Sequence, residues 1–375
     1  MKGYSRPRIK DIYPVYKLDK NRFRIGAQMN ITREFEDPTG QLWDFVTRLD
    51  GRELSLIEAD LQTIYPELTH DDIMFALDLL DSEGVIEEYQ EVALVDERYM
   101  SNVNYFRRYL NSYDESIAVQ RKLNESSILL LGLGGGGSNI LSLLAGIGPK
   151  QITIVDYDKV DSSNLGRQLL YKENDIGKFK TEVALREFRK MNSTVNITAI
   201  TKKITSVPEV IDLLDGVDLV ICAIDEPPFV AQRIVNEAII KAGIPCVFGG
   251  SQISRGRVYS VIPQKTGCFD CLNIHYTKTS PNFVDQFIGF QKIQFDPPTI
   301  AYAPAIFQLC SAIVDEAVRL LTKYTEPMSL STQFEINYET GASFCHKPWP
   351  RYEDECPTCG KGTISEWEIF NHYKS

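Results

Sequence analysis

Hydrophobic positions change their rhythm along the chain. In the back two thirds they form continuous runs. Residues 128–131 read Ile-Leu-Leu-Leu and pass directly into Gly132-Leu133-Gly134-Gly135-Gly136-Gly137. Ile140, Leu141, Leu143, Leu144 and Ile147 then recur at helical spacing, and residues 152–155 are apolar again, closed by Asp156. This predicts a buried strand, a tight turn, a helix and a second buried strand. Further on, the pattern predicts helices over 181–191, 207–214, 229–242 and 305–324. It predicts strands over 195–201, 219–225 (ending in Asp225) and 244–249. Strands alternating with helices make an α/β fold with a Rossmann-like sheet.

The first hundred residues have shorter periods. Strands are expected at 13–18, 22–26 and 31–35, with a turn at 19–21. Helices are expected over 40–49, from Ser55 through 61, and from Thr69, where Asp72 suggests a capping box. Ile73, Phe75, Ala76, Leu79 and Leu80 are assigned to the buried face of the third helix, and 85–89 to a closing strand. Together they predict a small winged helix-turn-helix (α+β) domain over residues 1–92. Residues 93–125, polar with interleaved aromatics, read as a linker and a helix packing on the second domain, which spans 126–375.

The glycines allow a sharp turn, and the following helix N-terminus offers free N–H groups to a phosphate. Asp156 lies where a carboxylate can accept from ribose hydroxyls. These features say nucleotide. Asn164-Leu165-Gly166-Arg167-Gln168 and Gly177-Lys178-Phe179-Lys180 add cations. A dehydrogenase has no use for cations beside the phosphates; nucleotidyl transfer does, because charge builds on the α-phosphate and the leaving pyrophosphate. Asp225, at a strand's carboxyl end, is placed to hold Mg²⁺ or to cap the next helix. Cys268-x-x-Cys271 and Cys356-x-x-Cys359 together supply four thiolates for a structural zinc.

In this order the motifs resemble the ThiF/MoeB/HesA superfamily of ubiquitin-activating-enzyme-like adenylating enzymes, from about Arg107 to the C-terminus. The resemblance implies that Arg167, Gln168 and Lys180 contact ATP phosphates, that Asp156 holds the ribose and that Asp225 holds Mg²⁺. Gly132, Gly134, Gly135, Gly137, Asp158 and Asn164 join the nucleotide-binding set. It also implies a homodimer and a crossover loop, about 277–304, over the acceptor peptide. An N-terminal arginine can reach the phosphates in this superfamily, and Arg107 and Arg108 are the candidates. Several members keep a catalytic cysteine in the crossover region. None stands between Cys271 and Cys310 here, and Cys310 at a helix start is left open.

The front domain resembles PqqD-like peptide-recognition domains, in which a leader peptide adds a strand beside the wing and packs on the third helix. The alternative is a folded dimerisation or spacer domain with no ligand. The combination resembles microcin-C-type peptide nucleotidyltransferases and pantocin-type precursor-modifying enzymes, chiefly through residues 171–182, 267–271 and 299–304. It implies ATP-dependent activation of a carboxyl or carboxamide of a ribosomal precursor peptide, in peptide antibiotic biosynthesis. The alternatives are a MoeB-type sulfur-carrier adenylyltransferase, a non-catalytic leader-binding scaffold and, more distantly, an NAD-linked oxidoreductase.

Composition narrows the partners. Net charge is −11 and the pI about 5.1. From Thr69 to Tyr89 there are seven acids and no Lys or Arg. Such a helix is repelled by phosphate, so nucleic acid is excluded as a partner. No apolar run approaches the ~20 residues of a membrane helix, and the N-terminus lacks the apolar core of a secretory signal. Membrane is therefore excluded and a cytoplasmic location expected. Eight cysteines without a secretion signal point to metal or free thiols.

Overall fold

The computed structural model describes residues 3–28, 33–91, 95–280, 282–291 and 300–371. The chain divides into two compact units, Met1–Arg121 and Lys122–Ser375.

In the first unit, β1 (Pro7–Ile9) is followed by an antiparallel wing of β2 (Val15–Lys17), β3 (Arg22–Ile25) and β4 (Arg33–Glu36). Phe23 and Phe35, opposite one another, stack at 5.2 Å and seal the wing on the core. Helices α1 (Gln41–Val46), α2 (Leu54–Ile64) and α3 (His70–Ser82) follow, then β5 (Ile86–Glu88). Helix α2 starts after Glu53 rather than at Ser55. Thr69 and Asp72 form the expected reciprocal capping box. The buried face of α3 is Ile73, Leu77 and Leu80, spaced i, i+4, i+7. Phe75, assigned to that face from the sequence, is instead 72% exposed: two residues from Ile73 it lies about 200° round the helix. Strand β5 pairs with β1, a partner the short Pro7-Arg8-Ile9 segment does not announce.

Helices α4 (Met100–Phe106) and the start of α5 (Tyr113–Glu125) also lie within the first unit. Arg107 is buried there. It donates to both oxygens of the fully buried Glu87, at 3.1 and 2.6 Å, and pairs with Asp11. An arginine so held is committed to its own unit, because taking it away would leave Glu87 buried without a partner. Of the two arginines considered for the phosphates, this one is accounted for.

The second unit is built on an eight-stranded sheet. Its parallel part contains β6 (Ser127–Leu131), β7 (Gln151–Asp156), β8 (Asn196–Thr201), β9 (Leu219–Cys222) and β10 (Cys246–Ser251). An antiparallel extension adds β11 (Arg255–Val261), β12 (Phe334–Asn337) and β13 (Ser343–Cys345). The spatial order is β13-β12-β11-β10-β9-β6-β7-β8. Chain order reverses between β9 and β6, and that switch point opens the crevice where such sheets bind ligands. Helices α6 (Gly135–Ile147), α7 (Lys180–Met191) and α12 (Ala303–Thr322) cover one face of the sheet. Helices α9 (Val230–Ala242) and α10 (Phe269–Thr279) cover the other, together with the cysteine pairs. Short α8 (Val207–Ile211) precedes β9.

The region expected as one long crossover loop is partly helical. Helix α10 runs on to Thr279, and α11 spans Phe283–Gln291. Residues 281 and 292–299 lie outside the described residues. Among the described residues, no helix is long and apolar enough to cross a membrane.

Candidate nucleotide site and four-cysteine cluster

Strand β6 ends at the switch point, and the chain turns there on Gly132, whose φ is +93°. A Cβ at Gly132 would lie 2.6 Å from the Ala223 carbonyl, and one at Gly137 only 1.8 Å from the Gly132 carbonyl. The turn therefore closes tightly enough to bring the start of α6 under the end of β9. Gly134 caps α6 without a side chain, so its first N–H groups face the crevice unmasked.

Asp156 ends β7 beside this turn. Its two carboxylate oxygens accept from the Leu133 N–H at 2.6 Å and the Asp158 N–H at 2.7 Å. Burial raises its pKa; those two bonds and the Lys180 charge pull the other way. Lys180 opens α7, its side chain only 6% exposed, and its Nζ reaches Asp158 Oδ2 at 2.9 Å. Asp158 is half open to solvent.

Arg167 lies across the glycine turn, its Cδ 3.5 Å from where a Gly135 Cβ would stand. Its Nη1 donates to the Ser163 carbonyl at 2.9 Å. Its own carbonyl accepts from Asn139, which also bonds the Gly135 carbonyl. Asn164 faces inward and accepts from the Asp161 N–H, completing a capping box. Gln168 is buried, and its side-chain oxygen has no partner among the described residues. Sequence reasoning gave no role to Asn139 or to the hydroxyl of Tyr171, which donates to the Leu133 carbonyl at 2.9 Å and ties the 164–171 segment to the turn. Single buried polar residues leave no periodic signal.

Asp225 leaves the end of β9 in an exposed loop. Partial desolvation by the surrounding protein raises its pKa, while the charges of Arg167 and Lys180 lower it. The candidate cations and this acid thus act on one another across the crevice. Phe229, which ends the loop, has φ +66°, a strained conformation for an aromatic residue.

Cys268, Cys271, Cys356 and Cys359 converge, all four sulfurs within 4.8 Å of one another. Adjacent sulfurs are 3.9, 3.6 and 3.4 Å apart. A tetrahedral zinc with bonds near 2.3 Å needs edges of about 3.8 Å, so this donor set fits the ion. Asp270, inside the first pair, is fully buried. It accepts both arms of Arg233 on α9, at 3.0 and 3.2 Å, and the hydroxyl of Thr358 inside the second pair at 2.7 Å. The cluster could hold zinc, and through Asp270 it is joined to α9.

Cys310, left open as a nucleophile, is buried in α12. It donates to the Gly136 carbonyl at 3.4 Å, and burial pushes its pKa up to about 12. A thiol in that setting packs the helix and does not carry an acyl group.

A model of the ThiF family matches residues 106–358. The chain belongs to the ThiF family. Among ThiF-like relatives, it is 31% identical over 247 residues to the sulfur carrier protein ThiS adenylyltransferase of Bacillus subtilis, covering 64% of this chain and 67% of that protein. It is 28% identical over 246 residues to a sulfur carrier protein adenylyltransferase of Thermus thermophilus, covering 64% and 84%. Among solved structures, Escherichia coli MccB with AMPCPP and MccA aligns with a TM-score of 0.76 at 22% identity, over 95% of this chain and 100% of that one. PaaA aligns with a TM-score of 0.67 at 17% identity, over 90% and 99%. At such identities these structures establish the fold, and their coverage takes in the N-terminal unit as well as the ThiF region.

Proposed function

We propose that this ThiF-family chain is an ATP-dependent adenylyltransferase acting on a ribosomal precursor peptide in peptide antibiotic biosynthesis. What carries the reading is the crevice at the β6–β9 switch point, where a bare helix N-terminus, Asp156, Arg167, Lys180 and Asp225 share one rim. The triphosphate of ATP lies against Gly132, Gly134, Gly135 and Gly137. The ribose bonds Asp156, and Gln168, Arg167 and Lys180 take the phosphates. Asn164 holds the turn beneath Arg167, and Asp158 holds Lys180 until nucleotide arrives. An Mg²⁺ at Asp225 would neutralise charge on the phosphates.

A carboxylate or carboxamide oxygen of the peptide attacks the α-phosphorus. A new O–P bond forms, the bond to the bridging oxygen breaks, and pyrophosphate leaves with that electron pair. Arg167 and Lys180 stabilise the charge gathered on the α-phosphate. No enzyme nucleophile is needed, in keeping with the burial of Cys310. The solved MccB complexes, with ATP and with N-formylated MccA, support nucleotide and acceptor for a fold of this kind.

The N-terminal unit would capture the leader. A groove of about 320 Å³ lies between α1 and α3, lined by Leu42, Phe45, Ile73, Phe75, Ala76 and Leu79 and also by the acids Asp37, Glu67 and Asp72. Strand β4 is an open edge of the wing beside the groove, suited to strand addition. A homodimer in the cytoplasm completes the reading.

Similarity to the ThiS-type adenylyltransferases favours a second reading, activation of a small sulfur-carrier protein. Peptide-dependent ATP–pyrophosphate exchange decides between them. Exchange stimulated by a precursor peptide, and lost on removal of residues 1–121, supports the first. Exchange stimulated only by a Gly-Gly-ended carrier protein supports the second.

A further inference from the structure

The antiparallel edge of the large sheet carries a charged cluster that the nucleotide site does not use. Arg255 and Arg257 alternate along β11 and so share one face. On β12, Glu335 is 1% exposed and accepts from Arg255 at 2.5 Å and from Arg257 at 2.7 Å. His346 Nε2 lies 2.9 Å from the same carboxylate. Burial alone would raise the Glu335 pKa. Hydrogen bonds from Arg257, His346 and Arg255 outweigh it and hold the value at about 2.

Charge balance separates this cluster from an ordinary cross-strand pair. Arg257 stands directly opposite Glu335 and would neutralise it alone. The second guanidinium leaves a full positive charge in excess, on a chain whose net charge is −11. Both side chains keep water contact, at 37% and 30% exposure. A guanidinium has five N–H donors, and Glu335 takes one from each. Held by a buried carboxylate, the two forks are fixed before any ligand arrives, which lowers the ordering cost of binding. Phe344, opposite Glu335 on β13 and half exposed, adds apolar surface beside them.

Register fixes the position. Phe248 of β10 is level with both Cys222 of β9 and Tyr259 of β11. One direction along the sheet leads from Cys222 to Asp225 and, on the oppositely running β11, from Tyr259 to Arg257 and Arg255. The arginines and the end of β9, from which the Asp225 loop emerges, therefore share a rim, the two strands standing two spacings or about 10 Å apart across the sheet. An extended peptide covers that distance in about three residues.

We propose that Arg255 and Arg257 are a carboxylate-recognition site for the acceptor peptide, binding an Asp or Glu side chain or a free C-terminal carboxylate about three residues from the group that reacts. The placement of the reacting group rests on the adenylation reading; binding at the arginines does not.

The test uses the full chain without nucleotide and three pools of synthetic hexapeptides on one neutral random background. The first carries a Glu and an amidated C-terminus, the second Gln in its place and an amidated C-terminus, and the third Gln and a free C-terminal carboxylate. Binding is read by equilibrium dialysis and mass spectrometry. The first or third pool is expected to bind about tenfold more tightly than the second, and which one does so identifies the source of the carboxylate. The preference is lost in Arg255→Gln/Arg257→Gln. Arg257→Lys keeps the charge and the Glu335 contact but not the fork, and weakens the preference should the double variant fail to fold. Equal binding of all pools, binding of none, or a preference that survives the substitutions overturns the proposal. A preserved preference for acid with no peptide-dependent pyrophosphate release from ATP overturns the adenylation reading alone.

Discussion

Lys180 and Asp158 hold each other twice. The Lys180 N–H donates to the Asp158 carbonyl at 2.9 Å, and Lys180 Nζ reaches the Asp158 carboxylate, also at 2.9 Å. The ammonium is buried while its partner is half hydrated. An incoming phosphate can therefore take the ammonium and leave Asp158 to water at little cost. Lys180→Ala should reduce ATP–pyrophosphate exchange by about 10²–10³-fold. Its melting temperature should fall by only a few degrees, because the carboxylate left behind is already solvated. Exchange at the wild-type rate in a folded Lys180→Ala protein would remove Lys180 from the mechanism.

Asp225 gives the reaction a pH signature. Desolvation holds its pKa above the ordinary aspartate value, against the pull of Arg167 and Lys180. Mg²⁺ requires the ionised form. As pH falls through that raised value the carboxylate protonates, so the Mg²⁺ concentration needed for half-maximal exchange should rise on the acid side of neutrality. The same shift means that ionisation costs folding free energy: this contribution to stability is full below the unfolded pKa and is lost as pH rises through the folded one. Asp225→Asn should show weak Mg²⁺ dependence at every pH. A wild-type Mg²⁺ requirement that stays flat as pH falls to the limit at which the protein remains folded would count against Asp225 as the ligand.

Much of this site is legible in the sequence, for a physical reason. Strands buried on both faces are continuous apolar runs, and Asp156 and Asp225 end such runs at the carboxyl side of the sheet. The two cysteine pairs speak for themselves through spacing. What the sequence hides depends on contacts distant in the chain. Arg107 and Arg108 are adjacent cations in one dimension; only Glu87 and Asp11, folded against the first, show that it is internal. Strand β11 is not among the predicted strands: it opens on Arg255, Gly256 and Arg257, with no apolar run or alternation there, and its pairing with β12 is a contact distant in the chain. Cys310 looks available near a helix start, and its burial follows from α12 packing on α6.

The four-cysteine cluster should govern more than the tail. Asp270 bridges it to Arg233 on α9, the helix that follows the Asp225 loop. Stripping the metal with a chelator, or Cys356→Ala, should remove about one zinc per chain and expose the segment after Arg351 to protease. Asp270→Leu leaves all four thiolates but removes the carboxylate partner of Arg233, and should cost about 3 kcal/mol in denaturant unfolding with zinc still bound. Protection of Val230, Ala231 and Arg233, whose N–H groups bond the loop carbonyls of Pro228, Pro227 and Phe229, should fall in both cases in amide exchange. Unchanged exchange there in the stripped protein would confine the cluster to anchoring the tail.

Phe75 and Leu77 sit two residues apart on α3 and should respond in opposite ways. Leu77 is fully buried in the core of the first unit, so Leu77→Ala should cost about 2–5 kcal/mol of stability. Phe75 projects from the helix into the groove shared with α1, and removing an exposed ring should change stability by less than about 0.5 kcal/mol. If that groove takes the leader, Phe75→Ala should weaken binding of the cognate precursor peptide about tenfold, as loss of an aromatic anchor does. It should raise KM for the peptide in pyrophosphate release without altering KM for ATP. Fluorescence anisotropy of the labelled peptide, beside a melting curve of each variant, separates the two residues. Equal peptide affinity in wild type and Phe75→Ala would move the leader elsewhere on the wing, to the open edge of β4.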